Sequence, residues 1–186
     1  MTHRPILTIL LTLSLAAASV EDLRNATRKI DEIKSDRLRA GTGVTLTLPE
    51  LNAWAVSQLP TGVRDAHVRV DSPGIATATA MVDLAKVSRA KGFEPGWLLS
   101  KILEGDRPVL VTARIESSNG AAIVYVRRVE IAGLEMDGKT LEMLIDHVLL
   151  PIYPNAAVGR PFDLGHNIDR FDIQPAAVRV VIGKPR

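Results

Sequence analysis

The sequence predicts an α+β fold, a curved antiparallel β-sheet packed on and wrapped around amphipathic helices. Three observations carry this. Alternating apolar and polar segments come in pairs across tight turn signals: Ser72-Pro73-Gly74, Ser118-Asn119-Gly120 and Gln174-Pro175-Ala176. Other segments repeat their apolar residues every three or four positions, the period of a helix that covers a sheet. No run of alternating strands and helices calls for a parallel sheet.

The first residues of the 186-residue chain read as a secretory signal. Arg4 makes a positive start, Ile6 to Leu15 is an apolar run broken only by hydroxyls, and Ala16-Ala17-Ala18 supplies the small residues a signal peptidase cuts after. The apolar run is too short for a comfortable span, and Glu21-Asp22 closes it. The expectation is a signal peptide over 1–18 and a single domain over 19–186, working in the periplasm or outside the cell.

Val20 to Leu38 reads as a helix. Val20, Leu23, Ala26, Ile30, Ile33 and Leu38 form its narrow apolar stripe, with Arg24, Arg28 and Lys29 on the polar side. Gly41 and Gly43 end it. Val44 to Leu48 alternates strictly and reads as a strand. Pro49 then starts a short helix with Leu51, Trp54, Ala55 and Leu59 on one face, stopped by Pro60.

The first hairpin pairs Val63–Asp71 with Ile75–Leu84. One face of its second arm carries Ala76, Ala78 and Ala80, whose small side chains let another element or a bound chain approach closely. Leu84–Lys91 and Gly96–Leu103 read as helices, the latter with an apolar patch of Trp97, Leu98, Leu99, Ile102 and Leu103. The second hairpin pairs Val109–Ser117 with Ala121–Ala132 across Asn119-Gly120, a strong two-residue turn signal. Val109, Val111, Ala113 and Ile115 are expected to share one face. Ile123, Tyr125, Val129 and Ile131 are expected to share another, with Arg127 as an exception and Arg127-Arg128 as a solvated pair. Gly133–Gly138 reads as a turn. Lys139–Ile152 is the clearest helix, with Leu141, Leu144, Ile145, Val148, Leu149 and Ile152 on one stripe. Two strands, Ile168–Ile173 and Ala177–Ile182, close the chain.

Composition narrows the function. Net charge is +2, and removing Arg4 with the signal lowers it further, so no basic stripe for nucleic acid is expected. There is no cysteine, which excludes thiol chemistry, a zinc–thiolate site and a lipid-modified N-terminal cysteine. Aromatic residues make up 4% of the chain, so the interior is aliphatic.

Catalytic patterns are missing. His67, His147 and His166 have no metal-ligand spacing. His166, near Asp163 and Asp169, is the best acid–base candidate, but its spacing places no nucleophile beside it, and loop structure is the simpler reading. No Gly-x-Ser-x-Gly elbow occurs. Gly41-Thr42-Gly43 precedes a strand rather than a helix, so it fails as a phosphate loop. Asp31-Glu32 sits on an exposed helix face, and Asp83 reads as the N-cap of the helix that follows. No enzyme, cofactor or metal is expected.

The order of elements has its own pattern. A helix and strand lead into Leu48-Pro49-Glu50-Leu51-Asn52, then a hairpin ending Val82-Asp83-Leu84, then Pro108-Val109-Leu110-Val111. Asn119-Gly120, Ile131-Ala132-Gly133-Leu134, a helix and Pro161-Phe162-Asp163-Leu164 follow before two strands. This layout resembles small exported bacterial proteins of the tubular lipid-binding type. The resemblance implies a strongly curved antiparallel sheet around a long helix, an apolar seam that holds lipid chains, and no catalytic residues.

The resulting expectation is an exported binder or carrier of a lipid or another long apolar ligand. An acyl-chain site needs aliphatic lining, few aromatics and no charge. The candidate lining on the helices is Trp97, Leu98, Ile102, Leu141, Leu144, Ile145, Val148 and Leu149, with Ala78 and Ala80 leaving room on the sheet. The alternative is a non-enzymatic structural or interaction protein of the envelope with a closed core. Arg127-Arg128 and the basic side of the first helix would then meet a partner or a membrane surface.

Overall fold

The structure is a computed structural model. It describes the backbone of residues 6–90, 92, 105–150 and 157–185, and side chains from residue 19 onward within those ranges, except Ser88, His147 and Val148.

Two antiparallel sheets share the described residues. The first has three strands in the order β1 (Gly43–Thr47), β9 (Ala177–Ile182), β8 (Ile168–Gln174). The second runs β2 (Val63–Ser72), β3 (Ile75–Asp83), β4 (Asp106–Ser118), β5 (Ala121–Ile131), β6 (Leu134–Met136), with the short β7 (Phe162–Asp163) also on β5. The α+β class read from the sequence holds.

Turn chemistry sets the hairpins. Asn119 and Gly120 both take positive φ, 49° and 74°, the two-residue turn whose twist matches its strands. Ala132 and Gly133 repeat that geometry at 52° and 84°, and the chain doubles back there as β6. The segment Gly133–Gly138, expected as a turn, therefore contains a strand. Gly74, at φ 73°, closes the β2–β3 turn behind Pro73.

Helix α1 (Ile6–Lys34) packs its second half on the three-stranded sheet. Ala26 and Ile33 are buried with Val44, Leu46, Ile168, Val180 and Ile182, and Ile30, Leu38, Trp54 and Phe171 close around them. Of the stripe the sequence marks, Ala26, Ile30 and Ile33 pack here, while Val20 is 57% exposed and Leu38 lies beyond the helix, which ends at Lys34; each fully buried aliphatic side chain contributes roughly 1.5–3 kcal/mol.

Helix α2 (Leu48–Ser57) begins on a capping box. Thr47 Oγ1 accepts from Glu50 N, and Glu50 Oε2 accepts from Thr47 N at 2.8 Å. Lys29 of α1 donates to both Glu50 oxygens, at 2.7 and 2.6 Å, and to Thr45 O at 2.8 Å. One lysine thus ties α1 to the start of α2 and to β1.

Helix α3 (Leu84–Ala90) starts where Lys86 N donates to Asp83 Oδ1 at 2.9 Å, the cap expected of Asp83. Helix α4 (Gly138–Leu144) continues into a wider π-helical turn at Ile145–Leu149. The helix expected over Lys139–Ile152 is present in its described part; Ile152 lies outside the described residues, as does the expected helix Gly96–Leu103.

The two sheets meet along β8. Gly74 N donates to Ile173 O at 3.2 Å, and Gly120 N donates to Asp169 O at 2.7 Å. Ser117 Oγ accepts from Phe171 N and donates to Phe171 O. The free edge of the small sheet is therefore pinned to the hairpin ends of the large one.

Candidate functional site

Strand register sorts the large sheet into two unlike faces. Val68, Ala78, Val111, Val129 and Met136 form one row across five strands. Val70, Ala76, Ala113 and Val126 form the next row, and Ala80, Val109, Ile131 and Leu134 flank it on the other side. Residues two apart on a strand share a face. These three rows are therefore one aliphatic surface without a charge or a hydroxyl.

The opposite face is charged. Its central row is Arg69, Thr77, Thr112 and Arg128. Three arginines on it each pair with an acid two positions along their own strand: Arg69 with Asp71 at 3.0 Å, Arg114 with Glu116 at 2.8 Å, Arg128 with Glu130 at 3.0 Å. Glu135 of β6 also holds Arg128, at 2.9 Å. Thr77, only 1% exposed, joins Asp71 at 2.5 Å and Thr112 at 3.0 Å. Charge on this face is neutralised locally, which leaves no concentrated field for a polyanion.

A β-bulge decides which residues reach the aliphatic face. Thr112 pairs with Arg128 but Ala113 pairs with Val126, so Arg127 is the extra residue. The bulge reverses the alternation. Val126, Val129 and Ile131 share the aliphatic face, while Tyr125, opposite Arg114, lies on the charged one. The expectation that Ile123, Tyr125, Val129 and Ile131 share a face is corrected accordingly. Arg128 is also not a freely solvated residue, since Glu130 and Glu135 hold it.

Helix α4 covers part of the aliphatic face. Leu141 is buried with Val129 and Met136, and Leu144, Ile145, Val111, Val126 and Ile131 pack around them. Beside this covered zone the face is open: Ala78 is exposed, and Ala76, Ala80, Val68 and Val109 are half-buried. Thus Leu141, Leu144, Ile145, Ala78 and Ala80, all expected from the sequence, meet on one side of one sheet. Leu149 is half-buried at the end of the π-helical turn. Trp97, Leu98 and Ile102 lie outside the described residues, as does the side chain of Val148.

Two open clefts border the sheet. One, of about 500 Å³, lies between α1, α2 and β2, among Leu23, Pro49, Ala53, Val56 and Ala66. The other, of about 290 Å³, crosses β3 and β4 at Thr79, Ala80, Met81, Val109 and Leu110, with the acids Asp65 and Glu130 in its wall.

His166, Asp163, Glu50 and Asp83 each have polar partners in the structure. His166, at φ 48° in the β7–β8 loop, places Nδ1 3.4 Å from Asp36 Oδ1, and Asp163 accepts from Gly165 N. Burial works against ionisation of Glu50, but the Lys29 and Thr47 hydrogen bonds outweigh it and hold its carboxyl below the ordinary glutamate range. The Lys86 backbone N–H, against burial, holds Asp83 below the aspartate range. Among the described residues no cluster of His, Asp and Glu has the geometry to hold a metal ion, and no helix is long and apolar enough to cross a membrane.

No family model, no curated protein and no solved structure matches this chain. Sequence alone does not single out Val68, Val109 and Val111 of this face. Their signal is the unbroken alternation of the two hairpins, which becomes a surface only once strand register is known.

Proposed function

We propose that the protein is an exported, non-enzymatic binder or carrier of a lipid or another long apolar molecule, acting in the periplasm or outside the cell. The observation that carries this reading is the row Val68–Ala78–Val111–Val129–Met136, covered by α4 at one end and open at Ala78. A soluble domain gains by covering such a face, and methylene groups laid along it gain roughly 0.8 kcal/mol each. Alanine at 76, 78 and 80 leaves the space above β3 unfilled by that strand's own side chains. The paired arginines of the other face favour no polyanion. The tubular lipid-binding resemblance of the sequence points the same way.

A second reading is a non-enzymatic interaction protein of the envelope. It is favoured by Val20 and Val56, 57% and 49% exposed beside the larger cleft. One variant separates the two. Ala78→Trp fills the open strip, and an exposed alanine tolerates the added volume. The lipid reading expects a folded variant that no longer takes up N-phenyl-1-naphthylamine, an uncharged fluorescent probe of apolar sites. Unchanged uptake by a folded variant removes the alanine strip as the site.

A further inference from the structure

Resting on that reading, we infer that the ligand is an amphiphile with an anionic head, carboxylate or phosphate, and that Arg107 receives the head. Arg107 pairs with Val82 on β3, and it lies two and four residues before Val109 and Val111 on β4. By alternation it belongs to the aliphatic face. The named residues of the three rows above it carry no charge, and Asp65, in the β2 bulge that borders Ala80, is engaged by Arg64, so Arg107 is a cation at the margin of an aliphatic surface.

Its surroundings separate it from four of the other strand arginines. Arg69, Arg114, Arg128 and Arg170 each hold an acid two positions along the same strand. The position two beyond Arg107 is Val109. The neighbouring Asp106 is engaged by Arg64 at 2.9 Å, and Asp83 by Lys86 at 3.1 Å. Among the described residues no acid pairs with Arg107, which is exposed. A guanidinium on an apolar margin lays its methylenes along the surface and keeps its planar donors in water, where carboxylate or phosphate oxygens meet them in pairs. A chain along Ala76, Ala78 and Ala80 thus ends, beyond Val82, at a cation.

The test is displacement of N-phenyl-1-naphthylamine from the full mature protein by hexadecanoate, hexadecyl phosphate and hexadecanol, which differ only in the head. The expected result is displacement by one or both anions at about 3- to 10-fold lower concentration than by the alcohol, the scale of one exposed charge-assisted contact. The tighter anion identifies the head. Arg107→Gln brings the anions to the value of hexadecanol and leaves hexadecanol unchanged, Arg107→Lys keeps part of the preference, and Arg69→Gln on the opposite face keeps all of it. If the anions bind no better than the alcohol, or the preference survives Arg107→Gln, the head-group role is overturned while the apolar-ligand reading stands. If neither the probe nor any of the three compounds binds, that reading fails and this inference with it.

Discussion

The side-chain amide of Asn52 bonds the backbone of Val68 as an added strand residue would. Asn52 Nδ2 donates to Val68 O at 2.8 Å, and Val68 N donates to Asn52 Oδ1 at 2.6 Å. Val68 lies on β2, the edge of the large sheet, so its N–H and C=O point away from β3. Lys29 does a similar service for β1 through Thr45 O, and the hairpin ends do so for β8. Exposed strand edges recruit other chains, and these contacts block that pairing while the aliphatic face stays open.

Replacing Asn52 tests this. Asn52→Ala leaves both Val68 groups without their partner and is expected to cost about 1–3 kcal/mol. Urea unfolding measures the loss, and light scattering should report self-association of the variant. A change under 0.5 kcal/mol with no association would mean that water serves the edge equally well.

The Lys29–Glu50 pair is expected to behave as a unit. Lys29→Met leaves a carboxylate that is 6% exposed with only Thr47 to hold it, at a cost of about 2–4 kcal/mol. Adding Glu50→Gln removes that charge and should recover part of the loss. Additive losses in the double variant would show that the two residues act independently.

Acid unfolding should carry the signature of Glu50. Its folded pKa lies below its unfolded value of about 4.3, so its contribution is complete above that value. The contribution is lost as pH falls through the folded value. Between about pH 5 and pH 3 the parent protein should lose stability faster than Glu50→Gln. Parallel stability curves would remove this role.

Two glycines with positive φ should respond differently. A Cβ on Gly62, at φ +91°, would meet Asp83 O, Lys86 Cβ and Val87 Cγ2 at 3.0 Å, whereas one on Gly41, at φ +86°, meets nothing within 4 Å. Both alanine variants bear the backbone strain of about 1 kcal/mol, but Gly62→Ala should lower the melting temperature by several degrees more. Equal shifts would mean that α3 moves aside at no cost.

Local pattern made most of the fold legible. Alternation located both hairpins, Asn119-Gly120 located a turn, and the 3.6-residue period located α1 and α4. What stayed hidden depends on long-range pairing. The strand β6 is three residues between Gly133 and Gly138, too short to alternate visibly. The bulge at Arg127 reverses a face without any glycine to mark it. Thr47-Leu-Pro-Glu50 is a readable capping box, yet its lysine comes from α1, at Lys29. The candidate site was half legible: alternation gives each strand's apolar side, but only register joins Val68, Ala78 and Val111 into one surface.

The most direct measurement is native mass spectrometry of the protein purified from cells without added lipid, with organic extraction of what it carries. The account predicts a bound lipid near one per chain, depleted in folded Ala78→Trp. A mass equal to the bare chain, with no uptake of added lipid, would contradict it.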